Sequence, residues 1–167
     1  MADNKPIGKD AEGYEILREA MKVLLNQYPG LRDGETIKYE EIGKDDGICF
    51  YAEAGALVYS EKEDICGVMH QVCQYPFTVV YRADSQRERQ KNQIQNFLDN
   101  LGKWICREPV TVDDTETRLS AFPELSRGRT IERITRDNSY GTQPQENGVQ
   151  DWLLPITVKY KYEWEKW

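Results

Sequence analysis

Residues Ile156 to Trp164 alternate in polarity: Ile156, Val158, Tyr160, Tyr162 and Trp164 fall on one side, Thr157, Lys159, Lys161 and Glu163 on the other. A period of two held over this length fits a β-strand with one apolar and one solvated face, and a helix cannot keep it. The run exceeds the roughly five to six residues typical of strands. It forms one arm (Trp152–Trp164) of a long C-terminal β-hairpin whose other arm is Thr130–Thr135. The connection Asp137–Gly148 is polar and much longer than the roughly two to five residues a hairpin needs. Loops of that kind usually carry function, which makes Tyr140 and Gln143 candidates for an assembly contact. The aromatics Trp164 and Trp167 stand at the end of the sequence, where a partner surface accounts for them better than burial in a fraying terminus.

A strand with one apolar face needs a covering layer, and two amphipathic segments supply it. In Ala11–Gln27 the residues Ile16, Leu17, Ala20, Met21, Leu24 and Leu25 recur at helical spacing, and Tyr28-Pro29-Gly30 ends the segment. The second runs from a capping box, Ser85-Gln86-Arg87-Glu88, to about Ile105, with a stripe of Ile94, Phe97, Leu98, Leu101, Trp104 and Ile105. Its first two turns carry almost nothing apolar, so Arg87 and Arg89 become candidates for contact with a neighbouring subunit.

Between the helices the period is two. Ile37–Tyr39 and Ile48–Ala52 read as a hairpin across Gly43–Gly47, and Leu57–Ser60 and Ile65–Val72 as a second pair across Glu61–Asp64. Phe77–Tyr81 reads as a separate strand entered through Pro76. Residues 107–126, with Pro109, Pro123 and the acidic group Asp113, Asp114 and Glu116, read as loop. The expectation is one α+β domain over residues 1–167, with residues 1–12 flexible. It comprises a mostly antiparallel sheet, two main amphipathic helices packed on one face, and the C-terminal hairpin.

The chain is acidic, with a formal net charge of −7, which argues against nucleic acid as the main ligand because phosphate contacts need cations. Arg127, Arg129, Arg133 and Arg136 lie close in sequence, but Glu132 and Asp137 interrupt them. No stretch approaches the ~18 apolar residues of a membrane span, and the start has no signal-peptide core, so the expected compartment is the cytoplasm. The four cysteines then stay reduced. Cys66, His70 and Cys73 match no usual metal-ligand spacing and would alternate faces of a strand, so no metal is expected. With one histidine and no nucleophile, phosphate-loop or dinucleotide signature, neither catalysis nor a cofactor is expected.

The order of elements nevertheless resembles a known group. Gln74-Tyr75-Pro76-Phe77-Thr78-Val79-Val80-Tyr81-Arg82 is followed by a helix ending Phe97-Leu98-Asp99-Asn100-Leu101-Gly102-Lys103-Trp104. Gly148-Val149-Gln150-Asp151-Trp152 then leads into the alternating strand. This pattern, over roughly residues 14–164, is similar to tail terminator proteins of long-tailed bacteriophages, in particular the Gram-positive phage and prophage group filed as minor capsid proteins. The resemblance implies a virion protein forming a homohexameric ring on the head-proximal end of the tail tube. There it would stop tube polymerisation and meet a head-completion protein or a terminal sheath protein, with DNA at most passing through the lumen and no membrane. It would act in the host cytoplasm during assembly and then in the virion tail or neck. A head-completion or connector ring protein, a monomeric adaptor and a small enzyme are the alternatives.

Overall fold

The computed structural model describes residues 5–84 and 88–166, with the side chains of the second helix described from Asn92 onward. Two helices and a mostly antiparallel sheet form the α+β architecture expected from the sequence. Two 17-residue strands, β5 (Val68–Asp84) and β10 (Val149–Glu165), pair antiparallel along their whole length, from Asp84 opposite Val149 to Val68 opposite Glu165. At about 3.3 Å per residue this ribbon is ~55 Å long. β4 (Leu57–Glu63) and β3 (Gly47–Ala52) share the outer side of β5. β8 (Arg129–Arg136) and β9 (Tyr140–Gly141) share the outer side of β10. β1 (Gly8–Lys9) and β2 (Ile37–Tyr39) add short edges.

Pro76 corrects the sequence reading: it lies inside β5 and does not start a strand. β4 pairs up to Gln74 and β3 begins at Phe77, so Pro76 falls in the seam between them. Its side of the backbone follows from Pro155 of β10. The Pro155 carbonyl accepts from the Asp137 N–H on the β8 side, so residues of that parity, including Thr157 opposite Pro76, turn their amides away from β5. Pro76 in turn faces away from β10, into the seam, where no donor is required. Pro155 occupies the matching seam between β8 and β9.

Four further expectations change. β2 and β3 pair in parallel, because Glu40 takes a left-handed φ of 53° and the link runs back before entering β3. The β4–β5 turn is Asp64–Gly67, where the Asp64 carboxylate accepts from the N–H groups of Cys66 and Val68. In the expected loop 107–126, β6 (Val110–Val112) and β7 (Thr115–Thr117) form a small hairpin. Asp113 and Asp114, both at positive φ, make its tight turn. Within the expected flexible start, β1 pairs with β4 and Asp10 caps the first helix. The capping box at residues 85–87 lies outside the described residues.

α1 (Ala11–Leu25) and α2 (Glu88–Ile105) cover one face of the sheet. Leu17, Met21, Leu24 and Leu25 of α1, and Ile94, Leu98, Leu101, Trp104 and Ile105 of α2, join a single core with Tyr75, Phe77, Val79, Trp152, Leu154 and Ile156. Tyr28, just past α1, meets Phe97 and Trp104 at ring separations of 5.7 and 5.5 Å, and Tyr81 meets Phe97 at 5.3 Å. Among the described residues no helix is long and apolar enough to cross a membrane.

A buried polar cluster fixes α1 to the sheet. Asp10, 7% exposed, accepts from the Gly13 N–H (2.9 Å), the Tyr160 hydroxyl (2.8 Å) and the Arg129 guanidinium (2.6 and 2.9 Å). Arg129, 3% exposed, also bonds Glu12 and lies over the Tyr162 ring at 3.7 Å. Burial alone would raise the Asp10 pKa, but these bonds outweigh it and hold the carboxyl below its usual range.

Candidate functional site

The helices cover only one side of the sheet. Odd-numbered residues of β5 and even-numbered residues of β10 point into the core, so the others build the second face. At one end of it Cys49, Val80, Leu153 and Tyr140 form a row across β3, β5, β10 and β9, followed by Tyr51, Thr78 and Pro155. Cys49, Thr78 and Val80 are buried, although they stand apart from the core. Their larger neighbours Tyr51, Leu153 and Tyr140 shield them, and Tyr140 is itself 52% exposed. The apolar surface this row offers is therefore Tyr140 with the half-buried Tyr51 and Leu153 beside it, a small patch of the kind an interaction surface can use.

Along the ribbon this face turns charged. After the uncharged row Pro76, Thr157 and Thr135 come Gln74, Lys159 and Arg133, and beyond them Lys161 pairs with Glu132 at 2.9 Å. Glu132 is the extra residue of a β-bulge, since Arg133 opposes Lys159 while Ile131 opposes Tyr160. The four arginines that are close in sequence therefore separate. Arg129 is buried on Asp10, Arg127 pairs with Glu12 and Arg136 with Glu108, leaving Arg133 on the uncovered face.

The far end of the ribbon is a three-stranded arm of β4, β5 and β10. On one face His70 sits between the carboxylates of Asp64 (2.8 Å) and Glu163 (3.2 Å). Lys62 stands opposite it on β4. The hydrogen bond with Asp64 first, then Glu163, raises the His70 pKa. A raised folded pKa contributes stability that is complete below the ordinary value of 6.5 and is lost as pH rises through the folded value. The arm is therefore expected to loosen above that point. Amide exchange of Val68–Val72 should quicken as the His70 ring resonances titrate, and Glu163→Gln should lower the midpoint.

The expected interface residues scatter. Tyr140 lies in the apolar row, and Gln143 lies exposed just beyond β9. Trp164 is half-buried on the opposite side of the sheet, stacked on Tyr162 at 4.6 Å near the other end of the ribbon. Arg87, Trp167 and the Arg89 side chain lie outside the described residues. The long connection also shrinks. Thr142 donates to the Asp151 carbonyl and Gln145 to that of Val149, so β9 continues the hairpin ladder almost to its tip. Tyr51, Lys159 and Arg133 escaped the sequence reading because the rows depend on which strands become neighbours.

Two concavities of about 590 Å³ flank the sheet. The first, beside the β2–β3 link, is lined by Glu35, Glu41, Asp46, Tyr81 and Arg82. Its arginine is engaged by Asp151 (2.7 and 3.0 Å) and the Gly43 carbonyl (3.1 Å), and among the described residues its lining holds no His, Cys or Ser. The second is a groove between α1 and residues 123–127, lined by Ile16, Ala20, Val23 and Leu125 with Glu12, Glu15, Glu19, Glu124 and Arg127. Among the described residues no group of three His, Cys, Asp or Glu side chains could hold a metal ion. Cys73 is buried in the core, Cys66 is exposed in the turn, and His70 is bonded on the opposite face. No protein-family model matches the chain, and no curated protein matches it.

Proposed function

We propose that this chain is a phage or prophage virion protein that assembles into a ring, caps the head-proximal end of the tail tube, stops its polymerisation and joins tail to head. The observation that carries the reading is the one-sided sheet. Helices fill one face, while the other presents Tyr51, Leu153 and Tyr140 around buried Val80 and Thr78. Tyr140 is exposed with half-buried Tyr51 and Leu153 beside it, and tyrosine is enriched in interface cores, so this face suits a partner. The tail-terminator resemblance supplies the kind of partner: further copies of the chain, then the tube.

The test is assembly. The purified 19.5 kDa chain is expected to sediment as a larger closed species, or to form one when tube protein is added. Negative-stain images should then show a ring at one end of tubes that no longer elongate. A ring that leaves tube growth unchanged would move the assignment to a connector ring. A chain that stays monomeric with and without tubes would overturn the reading.

A further inference from the structure

Two surface patches on this chain are each repulsive within themselves and complementary to each other. The first is the Lys159–Arg133 row. The two residues are directly opposite on neighbouring strands, where side chains stand ~5 Å apart and like charges destabilise. Among the described residues neither has a carboxylate within ion-pair distance, although Lys161, Arg127, Arg129 and Arg136 around them all do. The second is the groove along α1. Glu15 and Glu19 lie one turn apart on the same helix face, another like-charge arrangement, and Glu124 faces them across the groove. Glu19 is shared with Arg18 and Lys22, whereas among the described residues no cation pairs with Glu15 or Glu124. Val23, 58% exposed, adds apolar surface to the same groove.

We infer that copies of this chain dock head to tail, the Lys159–Arg133 row on the uncovered sheet face of one copy lying against the Glu15–Glu124 groove of the next. This rests on the assembly reading above and specifies its contact. The row and α1 are on opposite sides of the sheet, so a copy can use both patches at once. Arg127 also lines the groove but is held by Glu12 at 2.6 Å, so a patch meeting its own copy would set its unpaired cations, or the carboxylates Glu15 and Glu124, against each other. The contact is therefore heterologous, the type that generates closed rings when its rotation closes and filaments when it does not. Nucleic acid is a poorer occupant for the row: the chain carries −7, and two adjacent cations offer little phosphate neutralisation.

Charge reversal tests it. Arg133→Glu with Lys159→Glu gives one variant, and Glu15→Lys with Glu124→Lys gives the other. Circular dichroism first establishes that each is folded; a reversal variant that is not folded is replaced by Arg133→Gln with Lys159→Gln or Glu15→Gln with Glu124→Gln. In sedimentation, each variant alone should assemble at least about ten-fold more weakly than the unaltered chain, whose own assembly should weaken in ~1 M salt. An equimolar mixture of the two reversal variants should reassemble as alternating copies, as should a chain carrying all four reversals. If the unaltered chain assembles and both variants match it, this contact is overturned while the ring reading stands. If the unaltered chain never assembles, alone or with tube protein, both fail. If a 30-base-pair DNA duplex binds the unaltered chain and the loss of binding follows the Arg133/Lys159 change alone, the partner is nucleic acid and the contact is likewise overturned.

Discussion

Replacing Arg129 by alanine should cost about 3–5 kcal/mol, the usual consequence of removing one partner of a buried ion pair. The Asp10 carboxylate would keep the Gly13 N–H and the Tyr160 hydroxyl but lose both guanidinium bonds, leaving an uncompensated charge in the core. Against a typical total of roughly 5–15 kcal/mol, that is a large fraction of the stability, and denaturant titration would read it directly. The acid limb should change too. With its folded pKa depressed, Asp10 contributes stability that is present above its ordinary pKa of 3.8 and is lost as pH falls through the lower folded value. The unaltered chain should therefore shed stability in that acid window, and Arg129→Ala should shed less. Gly13→Ala gives a second test, with a sign opposite to helix propensity. Alanine normally gains about 1 kcal/mol over glycine inside a helix. Here the added methyl would collide with the Asp10 carboxylate and lie 2.7 Å from the Tyr160 hydroxyl oxygen, so a net loss is expected.

Leu98→Ala should cost about 2–5 kcal/mol, the range for truncating a buried leucine. Leu98 is fully buried in the middle of α2, within the core that joins both helices to the strands. Phe97 beside it is braced by Tyr28 and Tyr81, so the site has little freedom to collapse around the lost atoms. Asn96→Ala, on the exposed side of the same helix, serves as the comparison and should change stability by less than about 0.5 kcal/mol. A Leu98→Ala cost below that level would show that the stripe is not core.

The helical stripes and the alternation of β10 were legible because each is a local pattern read by one neighbouring surface. Leu17, Met21 and Leu24, or Val158 and Tyr160, declare their burial through spacing alone. The parallel partnership of β2 and β3 was not legible. It depends on the left-handed turn at Glu40, a residue with no strong preference for that conformation. Pro76 misled for a related reason. Proline inside a strand is tolerated when its neighbours leave a gap at that point, and the gap belongs to β3 and β4, not to the residues around Pro76. The uncovered face was half legible. Lys159 announced a solvated side, but only the bulge at Glu132 decides that Arg133 is its neighbour.

The pairing of β5 with β10 also sets the order in which the chain can fold. Both partners are long, and α2, the β6–β7 hairpin, β8 and β9 all lie between them in sequence. The central ribbon is therefore a non-local contact whose closure entropy must be met before most of its hydrogen bonds can form. The shortest closure brings Asp84 to Val149, beside the ordered tip of the β9–β10 hairpin, and the ladder can zip from there towards Val68 and Glu165. Folding on this topology is expected to be slow for a chain of its size, with β10 joining the local β4–β5 hairpin of the arm last. Until it closes, the chain carries unpaired strand edges on which other copies can pair.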